Sequence, residues 1–116
     1  MTGTPSRGNV VLVPFPFTNL SGGKVRPALV LNVVGEDVLV AFLSSVVSVS
    51  PSAPTDFVLE PSHPDFPKTG LKGATTFKLA KLVCLHHSLV LRKLGHVSPA
   101  IQRELDVRLA RAVGLP

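Results

Sequence analysis

The chain has 116 residues and a hydrophobic fraction of 45%, which suffices for one folded core but not for two. Its formal net charge is +5, from twelve Lys and Arg against seven Asp and Glu, and it has six Phe but no Trp or Tyr. These values exclude a wholly disordered chain and a base-stacking surface built from Trp or Tyr, and they predict a single domain over residues 1–116.

The first half of the chain predicts short strands. Val10–Val13 is an apolar run of strand formers that ends at a Pro-Phe-Pro-Phe segment. Residues 28–34 and 38–43 are two further apolar runs, and the turn signal Gly35–Asp37 between them predicts a β-hairpin of two largely buried strands. Residues 44–56 change from an apolar to a Ser- and Pro-rich composition, which predicts a strand end followed by a loop.

The next part of the chain predicts further strands and one long loop. Phe57–Leu59 predicts a short strand, and residues 60–70, with three prolines and a glycine, predict an extended surface loop. Residues 72–79 and 81–85 predict two short strands, or a strand and a turn. Residues 88–94 are ambiguous between strand and helix.

The clearest element is a C-terminal helix. Ser98 is a capping residue, Pro99 follows at the first helical position, and Gly114 provides a stop. Apolar side chains recur every four residues at Ile101, Leu105, Leu109 and Val113. We therefore expect a mainly β fold with α: a small, partly open SH3-like barrel with an amphipathic C-terminal helix packed on it. The interior of such a barrel is filled by side chains, so ligands bind at loops and surface grooves.

The basic residues are concentrated in particular stretches. Seven Lys and Arg and no acid lie between Asp65 and Glu104, and residues 1–35 also lack acids. Such a distribution attracts a polyanion, either nucleic acid or an acidic protein segment, although a charge that serves only solubility explains it equally well. The lone Cys84 excludes an intramolecular disulfide and suits a reducing compartment. With no signal-peptide core and no apolar run long enough for a bilayer, we expect a cytoplasmic protein without a membrane partner.

Candidate metal ligands are few. Cys84 and His86 would share one face of a strand, whereas His87 would point the other way and His63 lies in a distant loop. Two ligands do not make a zinc site, so we expect no metal and no cofactor, and surface or half-buried histidines instead. The same alternation discounts His86 and His87 as an acid–base pair. Neither a P-loop nor a G-x-S-x-G motif is present.

The segment SGGKVRPALVL, residues 21–31, places a cation at the start of a predicted strand. The guanidinium of Arg26 offers a planar fork of five donors that fits a phosphate, and Pro27 holds the backbone of Arg26 extended. The hairpin brings the end of its second strand, Ser44 and Ser45, close to Arg26. This predicts a phosphodiester site; the alternatives are a structural ion-pair partner and a solvated surface residue.

Three segments resemble, in order, the MazF/PemK toxins of bacterial toxin–antitoxin modules. They are GNVVLVPFPFTNLSGGKVRPALVL, VLVAFLSS and TGLKGATTFKLAKLVCLHHSLVLRKLGHVSP, and the likeness runs from Gly8 to the C-terminal helix. The resemblance implies a CcdB-like, SH3-like barrel that forms a homodimer. It also implies a metal-independent endoribonuclease, an mRNA interferase, which cleaves single-stranded RNA at short sequences and leaves a 2′,3′-cyclic phosphate and a 5′-hydroxyl. The implied protein partner is a cognate antitoxin with an acidic, disordered tail.

The resemblance also assigns site residues. Arg26 takes the position of the family Arg that acts as acid/base and stabilises the pentavalent phosphorane, and Ser44 that of a Thr that bonds the phosphate. The loop from Phe15 to Lys24 would edge the RNA groove, with Phe15 and Phe17 either stacking on a base or packing in the core. The RNA-binding residues expected in this way are Phe15, Phe17, Thr18, Asn19, Lys24, Ser45, Lys68 and Lys72.

The sequence departs from the family pattern in several places. Asn9 stands where an Asp is usual, Ser44 where a Thr is usual, Ala80 where an acid is common, and Thr75 where a Ser is common. The alternative function is therefore a non-catalytic toxin or binding module of the same fold, such as a CcdB-like gyrase binder or an RNA binder. The retained Arg26 favours the nuclease, because a gyrase binder would not need it.

Overall fold

The computed structural model describes residues 4–15, 24–46 and 53–116. Six strands form one antiparallel sheet in the order β4-β5-β3-β2-β1-β6, and a helix follows them. The strands are β1 (Asn9–Phe15), β2 (Lys24–Val34), β3 (Asp37–Ser44), β4 (Asp56–Leu59), β5 (Thr75–His86) and β6 (Arg92–His96), and the helix is α1 (Pro99–Ala112). A curled sheet with one C-terminal helix confirms the predicted mainly β fold.

The hairpin of β2 and β3 is the centre of the sheet. Its turn contains Gly35, whose φ of +62° is a conformation that glycine adopts without strain. Ala28 pairs with Phe42 and Val34 with Asp37, which confirms the hairpin predicted from sequence. Consecutive residues of β2, from Ala28 to Val30, are fully buried, so side chains cover both faces of the sheet here.

Two apolar clusters fill the two faces. The first cluster contains the largest buried side chains and is covered by α1: Val10, Leu29, Leu31, Ala41, Leu43, Leu59, Phe66, Phe77, Leu79, Val97, Ile101 and Leu105. The second cluster is rich in valine: Val11, Val13, Ala28, Val30, Val38, Val40 and Leu85, with Leu89 and Val90 packed against it. Alternation along β2 places Leu29 in the first cluster and Ala28 and Val30 in the second, as the two-residue period of a strand requires.

β5 is a single strand with a large bulge, where the sequence predicted two separate elements. Phe42 of β3 pairs with Lys78, but the preceding Ala41 pairs with Leu82, so three residues of β5 have no counterpart on β3. Within this bulge Leu79 is fully buried in the first cluster. The bulge thus keeps an apolar anchor in the core and changes the direction of its polar neighbours.

The segment of residues 60–70 is not the extended surface loop that its prolines predicted. It contains a 3-10 helix, Phe66–Thr69, in which Phe66 packs in the first cluster and Thr69 is fully buried. The Thr69 hydroxyl donates a hydrogen bond to the Phe66 carbonyl at 2.7 Å. The prediction was wrong about an extended loop, because the apolar Phe66 and the satisfied hydroxyl of Thr69 anchor the segment in the core, although most of its other residues are exposed.

Two glycines allow the 3-10 helix to approach β6. A Cβ atom on Gly95 would lie 2.3 Å from the Lys68 carbonyl oxygen, and one on Gly70 would lie 2.2 Å from the Leu94 carbonyl oxygen. Real Cβ atoms do not approach backbone atoms this closely. The two backbones therefore pack directly against each other, and side chains are excluded from the contact.

The region of residues 88–94, ambiguous from sequence, divides between two elements. The 3-10 helix His87–Leu89 follows β5 directly, and β6 begins at Arg92. The backbone N–H of Leu91 donates a hydrogen bond to the Leu12 carbonyl at 2.9 Å, and this bond holds the chain beside β1 just before β6 begins.

The C-terminal helix begins and ends as predicted. The Ser98 hydroxyl accepts a hydrogen bond from the Ile101 N–H at 3.3 Å, Pro99 is the first helical residue, and Gly114 has a φ of +76° just after the helix. Ile101 and Leu105 are fully buried against the sheet. No helix within the described residues is long and apolar enough to cross a membrane.

Candidate nucleic-acid site

One surface groove contains the predicted phosphate site, and we call it the Arg26 groove. It lies where β2 begins, β3 ends and β5 bulges, and it has a volume of 290 Å³. Its lining residues are Arg26, Phe42, Leu43, Ser44, Ser45, Val46, Lys78 and Lys81. The structure thus brings Arg26, Ser44 and Ser45 together as the hairpin geometry predicted.

The Arg26 side chain is exposed on a rigid support. Its backbone pairs with Val13 of β1, and Pro27 and the fully buried Ala28 follow it in β2. No residue of the described ranges forms an ion pair or hydrogen bond with the Arg26 guanidinium. The alternative of a structural ion pair therefore has no support in the described part of the chain, and all five donors can meet a ligand.

The Ser44 hydroxyl is oriented by its own turn. Its Oγ atom accepts a hydrogen bond from the Val46 N–H at 3.1 Å. The Thr76 hydroxyl donates to the Val46 carbonyl at 3.2 Å and so fixes the same turn to β5. Because a hydroxyl has one donor, the bond accepted from Val46 leaves the Ser44 proton available for a phosphate oxygen. This hydrogen bond restrains the Ser44 side chain in place of the methyl group that a Thr would have.

Two lysines of the Arg26 groove were missed by the sequence analysis. Lys78 and Lys81 are three residues apart, which in a regular strand places two side chains on opposite faces. The bulge in β5 cancels that separation and brings both to one groove. Lys78 Nζ lies 3.9 Å from a carboxylate oxygen of Asp56, whereas Lys81 makes no ion pair within the described residues. No local signal in the sequence predicts the bulge, since it depends on the pairing of β5 with β3.

A second groove adjoins the first, and we call it the Lys72 groove. It has a volume of 410 Å³ and shares Arg26, Leu43 and Ser45 with the Arg26 groove. Its other lining residues are Leu12, Pro27, Gly70, Leu71, Lys72, Gly73, Ala74, Thr75, Arg92 and Leu94. Four leucines and three cations, Arg26, Lys72 and Arg92, are among its lining residues. Arg26 therefore stands between two adjoining grooves, of which the Lys72 groove is the larger.

The other predicted RNA-binding residues lie at different places in the structure. Lys72 and Ser45 line these grooves, whereas Lys24 and Lys68 are exposed but belong to neither groove. Lys68 Nζ instead lies 3.8 Å from a carboxylate oxygen of Asp65. The backbone of Phe15 pairs with Lys24, but the Phe15 side chain lies outside the described part of the structure. The predictions for Phe17, Thr18 and Asn19 also lie outside the described residues.

The charges that line the two grooves are all positive. Arg26, Lys72, Lys78, Lys81 and Arg92 contribute, and the described lining contains no Asp, Glu or His. Like charges close together repel each other in the free protein, and a polyanion relieves that repulsion. The grooves can therefore bind and stabilise a phosphate and the extra charge that develops on it during a reaction.

Together, the curled sheet and the two grooves define a small β protein with a basic surface that can accept phosphate groups. The sequence model of the PemK-like, MazF-like toxins of type II toxin–antitoxin systems matches residues 6–113. The chain belongs to this family. A search of curated protein sequences gave no match.

Solved structures share the fold at low sequence identity. An endoribonuclease from a mycobacterial species is 24% identical, with a TM-score of 0.72, and the match covers 100% of this chain and 97% of that one. An endoribonuclease in complex with its cognate antitoxin, also mycobacterial, is 24% identical, with a TM-score of 0.73 and 97% of each chain covered. A MazE–MazF structure from Deinococcus radiodurans is 22% identical, with a TM-score of 0.73 and coverage of 98% of this chain and 100% of that one.

Proposed function

We propose that this chain is an endoribonuclease toxin that cleaves single-stranded RNA through attack of the RNA's own 2′-hydroxyl. The observation that carries the proposal is Arg26, exposed and without a partner among the described residues, held on a buried strand beside the oriented hydroxyl of Ser44. Membership of the MazF-like toxin family and the endoribonucleases among its structural neighbours support it.

The reaction is a transesterification. The 2′-oxygen forms a bond to phosphorus, the bond from phosphorus to the 5′-oxygen breaks, and the products end in a 2′,3′-cyclic phosphate and a 5′-hydroxyl. One proton leaves the 2′-oxygen and one is taken up by the 5′-oxygen, so no co-reactant is consumed. DNA lacks the 2′-hydroxyl and is not a substrate.

Arg26 and Ser44 act on the scissile phosphate in this proposal. The guanidinium fork donates two parallel hydrogen bonds to the non-bridging oxygens, whose negative charge increases as the phosphorane forms. The Ser44 hydroxyl donates a further hydrogen bond and fixes the orientation of the phosphate. All ionisable groups of the described lining are cations, so stabilisation of charge is the main contribution that this site makes.

The neighbouring cations bind the rest of the RNA. Lys78 and Lys81 lie in the Arg26 groove and contact phosphates on one side of the scissile bond, whereas Lys72 and Ser45 contact the strand on the other side. The apolar surface of the Lys72 groove suits a base that is turned out of the strand. Lys24, Lys68 and the segment from Phe15 to Asn19 remain proposed contacts at the rim of the groove.

The proposal includes two protein partners. A second copy of the chain forms the homodimer, and a cognate antitoxin covers the basic grooves with an acidic tail, which occupies the site of the RNA. The antitoxin complexes among the structural neighbours support this assignment. Because the substrate is mRNA, we place the protein in the cytoplasm.

Cleavage of a long single-stranded RNA by the purified protein in excess EDTA tests the proposal, with the ends of the products mapped. Wild type is expected to cut at a recurring short sequence, and Arg26→Ala to lose at least about a hundredfold in rate, as removal of one transition-state donor does. Arg103→Ala is the matched control, because it removes the same charge from the exposed surface of α1. Arg26→Lys keeps the charge but not the fork, and is expected to remain slow.

Two outcomes would count against the nuclease. Intact RNA with folded wild-type protein favours the alternative, a non-catalytic binding module of the same fold. Equal loss of activity in Arg26→Ala and Arg103→Ala would show that only net charge matters, which contradicts the role of Arg26.

A further inference from the structure

Three side chains that can bind a metal ion lie together at the end of the sheet away from Arg26. They are Glu36, His86 and His87, and one ligand atom of each lies within 4.8 Å of the other two. The Nε2 atom of His86 is 3.6 Å from a carboxylate oxygen of Glu36. The two imidazole rings are neighbours, with centroids 4.4 Å apart and an angle of 30° between their planes.

The backbone explains why adjacent histidines are on the same side. The alternation of a continuous strand predicts that His86 and His87 face opposite ways. β5 ends at His86, however, and the 3-10 helix begins at His87, so the two-residue alternation stops between them. The prediction that His86 and His87 face opposite ways was wrong, because their rings lie side by side.

The three residues are held on a fixed frame. His86 pairs with Asp37 at the end of the sheet, and the backbone N–H of His87 donates to the Glu36 carbonyl at 2.9 Å. Glu36 belongs to the tight turn between β2 and β3 that Gly35 makes possible. Two distant parts of the sequence are thereby tied together by backbone hydrogen bonds next to the three side chains.

We propose that Glu36, His86 and His87 form a binding site for a transition-metal ion of the Zn²⁺ type. Two imidazole nitrogens and one carboxylate oxygen are a ligand set that zinc accepts, and they leave a fourth position for water. Mg²⁺ and Ca²⁺ prefer oxygen ligands, so the two nitrogens select against them. Metal–ligand bonds of about 2.0–2.1 Å require ligand atoms about 3.3 Å apart in a tetrahedron, which exposed side chains reach by small rotations.

Ser88 orients one of the ligands. The Nδ1 atom of His86 accepts a hydrogen bond from the Ser88 backbone N–H at 3.2 Å and lies 2.8 Å from the Ser88 hydroxyl oxygen. When Nε2 of His86 binds the ion, Nδ1 must carry the proton, so it donates to the Ser88 hydroxyl and gives up the hydrogen bond that it accepts from the Ser88 N–H in the ion-free protein. Such a partner fixes the tautomer and the ring orientation, which is the usual role of the groups that surround metal ligands.

The proposed metal site is separate from the RNA site. β3 runs from Asp37, beside the metal ligands, to Ser44 in the Arg26 groove, and seven residues of strand span about 23 Å. The ion therefore takes no part in the chemistry at Arg26, and cleavage in EDTA does not bear on it. Its effect is to clamp the β2–β3 turn to the end of β5.

Titration of tag-free protein with Zn²⁺ by calorimetry, and with Co²⁺ by visible absorption, tests the site. We expect one ion per chain and the intense absorption of tetrahedral Co²⁺. We expect His86→Gln and His87→Gln to abolish that absorption, and Glu36→Gln and Ser88→Ala to weaken binding at least about tenfold. His96→Gln, which removes another exposed imidazole, is the matched control and is expected to bind as wild type does.

The results separate this proposal from the nuclease. The melting temperature is expected to rise with Zn²⁺ concentration in wild type and in Arg26→Ala alike, and not in His87→Gln. Absence of saturable binding, or equal binding by His87→Gln and wild type, overturns the metal site whatever the RNA assay shows. Because the three ligand side chains are exposed, the variants are expected to fold, and circular dichroism checks this.

Discussion

Because β6 and the 3-10 helix Phe66–Thr69 are in close contact, we expect one methyl group added at Gly95 to lower the free energy of unfolding strongly. In Gly95→Ala the new Cβ would lie 2.3 Å from the Lys68 carbonyl oxygen and 2.5 Å from the Thr69 carbonyl carbon. Both atoms belong to the backbone, so no side chain can rotate away and the two segments must separate. Overpacking of a tight contact costs about 1–3 kcal/mol, and we expect Gly95→Ala at the upper end of this range.

Gly73→Ala is the matched control for this experiment. A Cβ on Gly73 meets nothing within 4 Å, and the backbone there has no positive φ. We expect its unfolding free energy to be unchanged or about 0.4–1 kcal/mol higher, because alanine restricts the unfolded chain. Urea unfolding at one fixed protein concentration measures both variants, since the proposed dimer would make stability depend on concentration. Equal stability of Gly95→Ala and Gly73→Ala would falsify the close approach of the two backbones.

Three further predictions concern the core, the helix cap and the Arg26 groove. Leu105→Ala should lower the free energy of unfolding by about 2–5 kcal/mol, because Leu105 is fully buried. Val107 is half exposed on the same helix, so Val107→Ala should change that free energy by less than about 0.5 kcal/mol, and urea unfolding measures both variants. A hydrogen bond with the Ser98 side chain lowers the pKa of Asp65 in the folded protein below its usual 3.8. The charged Asp65 carboxylate therefore stabilises the fold above pH 3.8, and this contribution is lost as the pH falls through the lower pKa of the folded state. The stability difference between wild type and Asp65→Asn should accordingly be full at about pH 6 and disappear in acid below pH 3.8, and a gap independent of pH would contradict this. Lys81→Ala should weaken binding of a non-cleavable single-stranded RNA analogue and reduce the slope of log K against log salt by about 0.7, as the loss of one phosphate contact does.

The elements predicted correctly from the sequence are those that local signals define. Gly35 and its neighbours mark the hairpin turn, and Ser98, Pro99 and Gly114 mark the ends of α1, so each boundary depends on a few adjacent residues. The position of Arg26 next to Ser44 follows from the hairpin alone, because antiparallel pairing brings the start of one strand to the end of the next.

What the sequence did not predict depends on contacts between distant segments. The bulge in β5 exists because β5 pairs with β3 in two registers, and it places Lys78 and Lys81 in one groove. The burial of the 3-10 helix Phe66–Thr69 requires β6, some 25 residues later, to present a glycine. Gly70 and Gly95 both belong to the third of the segments that resemble the toxin family, and the close approach of the 3-10 helix to β6 is a physical reason for both glycines.

The structure gives a physical account of the departures from the family pattern. The Asn9 side chain is buried and accepts a hydrogen bond from the Ser6 N–H at 3.0 Å, so the residue at this position fixes a turn, which an uncharged amide does as well as a carboxylate. Ser44 gains from the Val46 N–H the restraint that a Thr methyl would give.

Ala80 has the most direct consequence for the grooves. It is exposed in the bulge between Lys78 and Lys81, where an acid would pair with one of these lysines and weaken its attraction for a phosphate. With alanine there, Lys81 keeps its charge for the ligand, and Lys78 has only the longer contact to Asp56. The departure that removes an acid therefore strengthens the positive field around Arg26, and this favours the proposed binding of RNA and of an acidic antitoxin tail by the same surface.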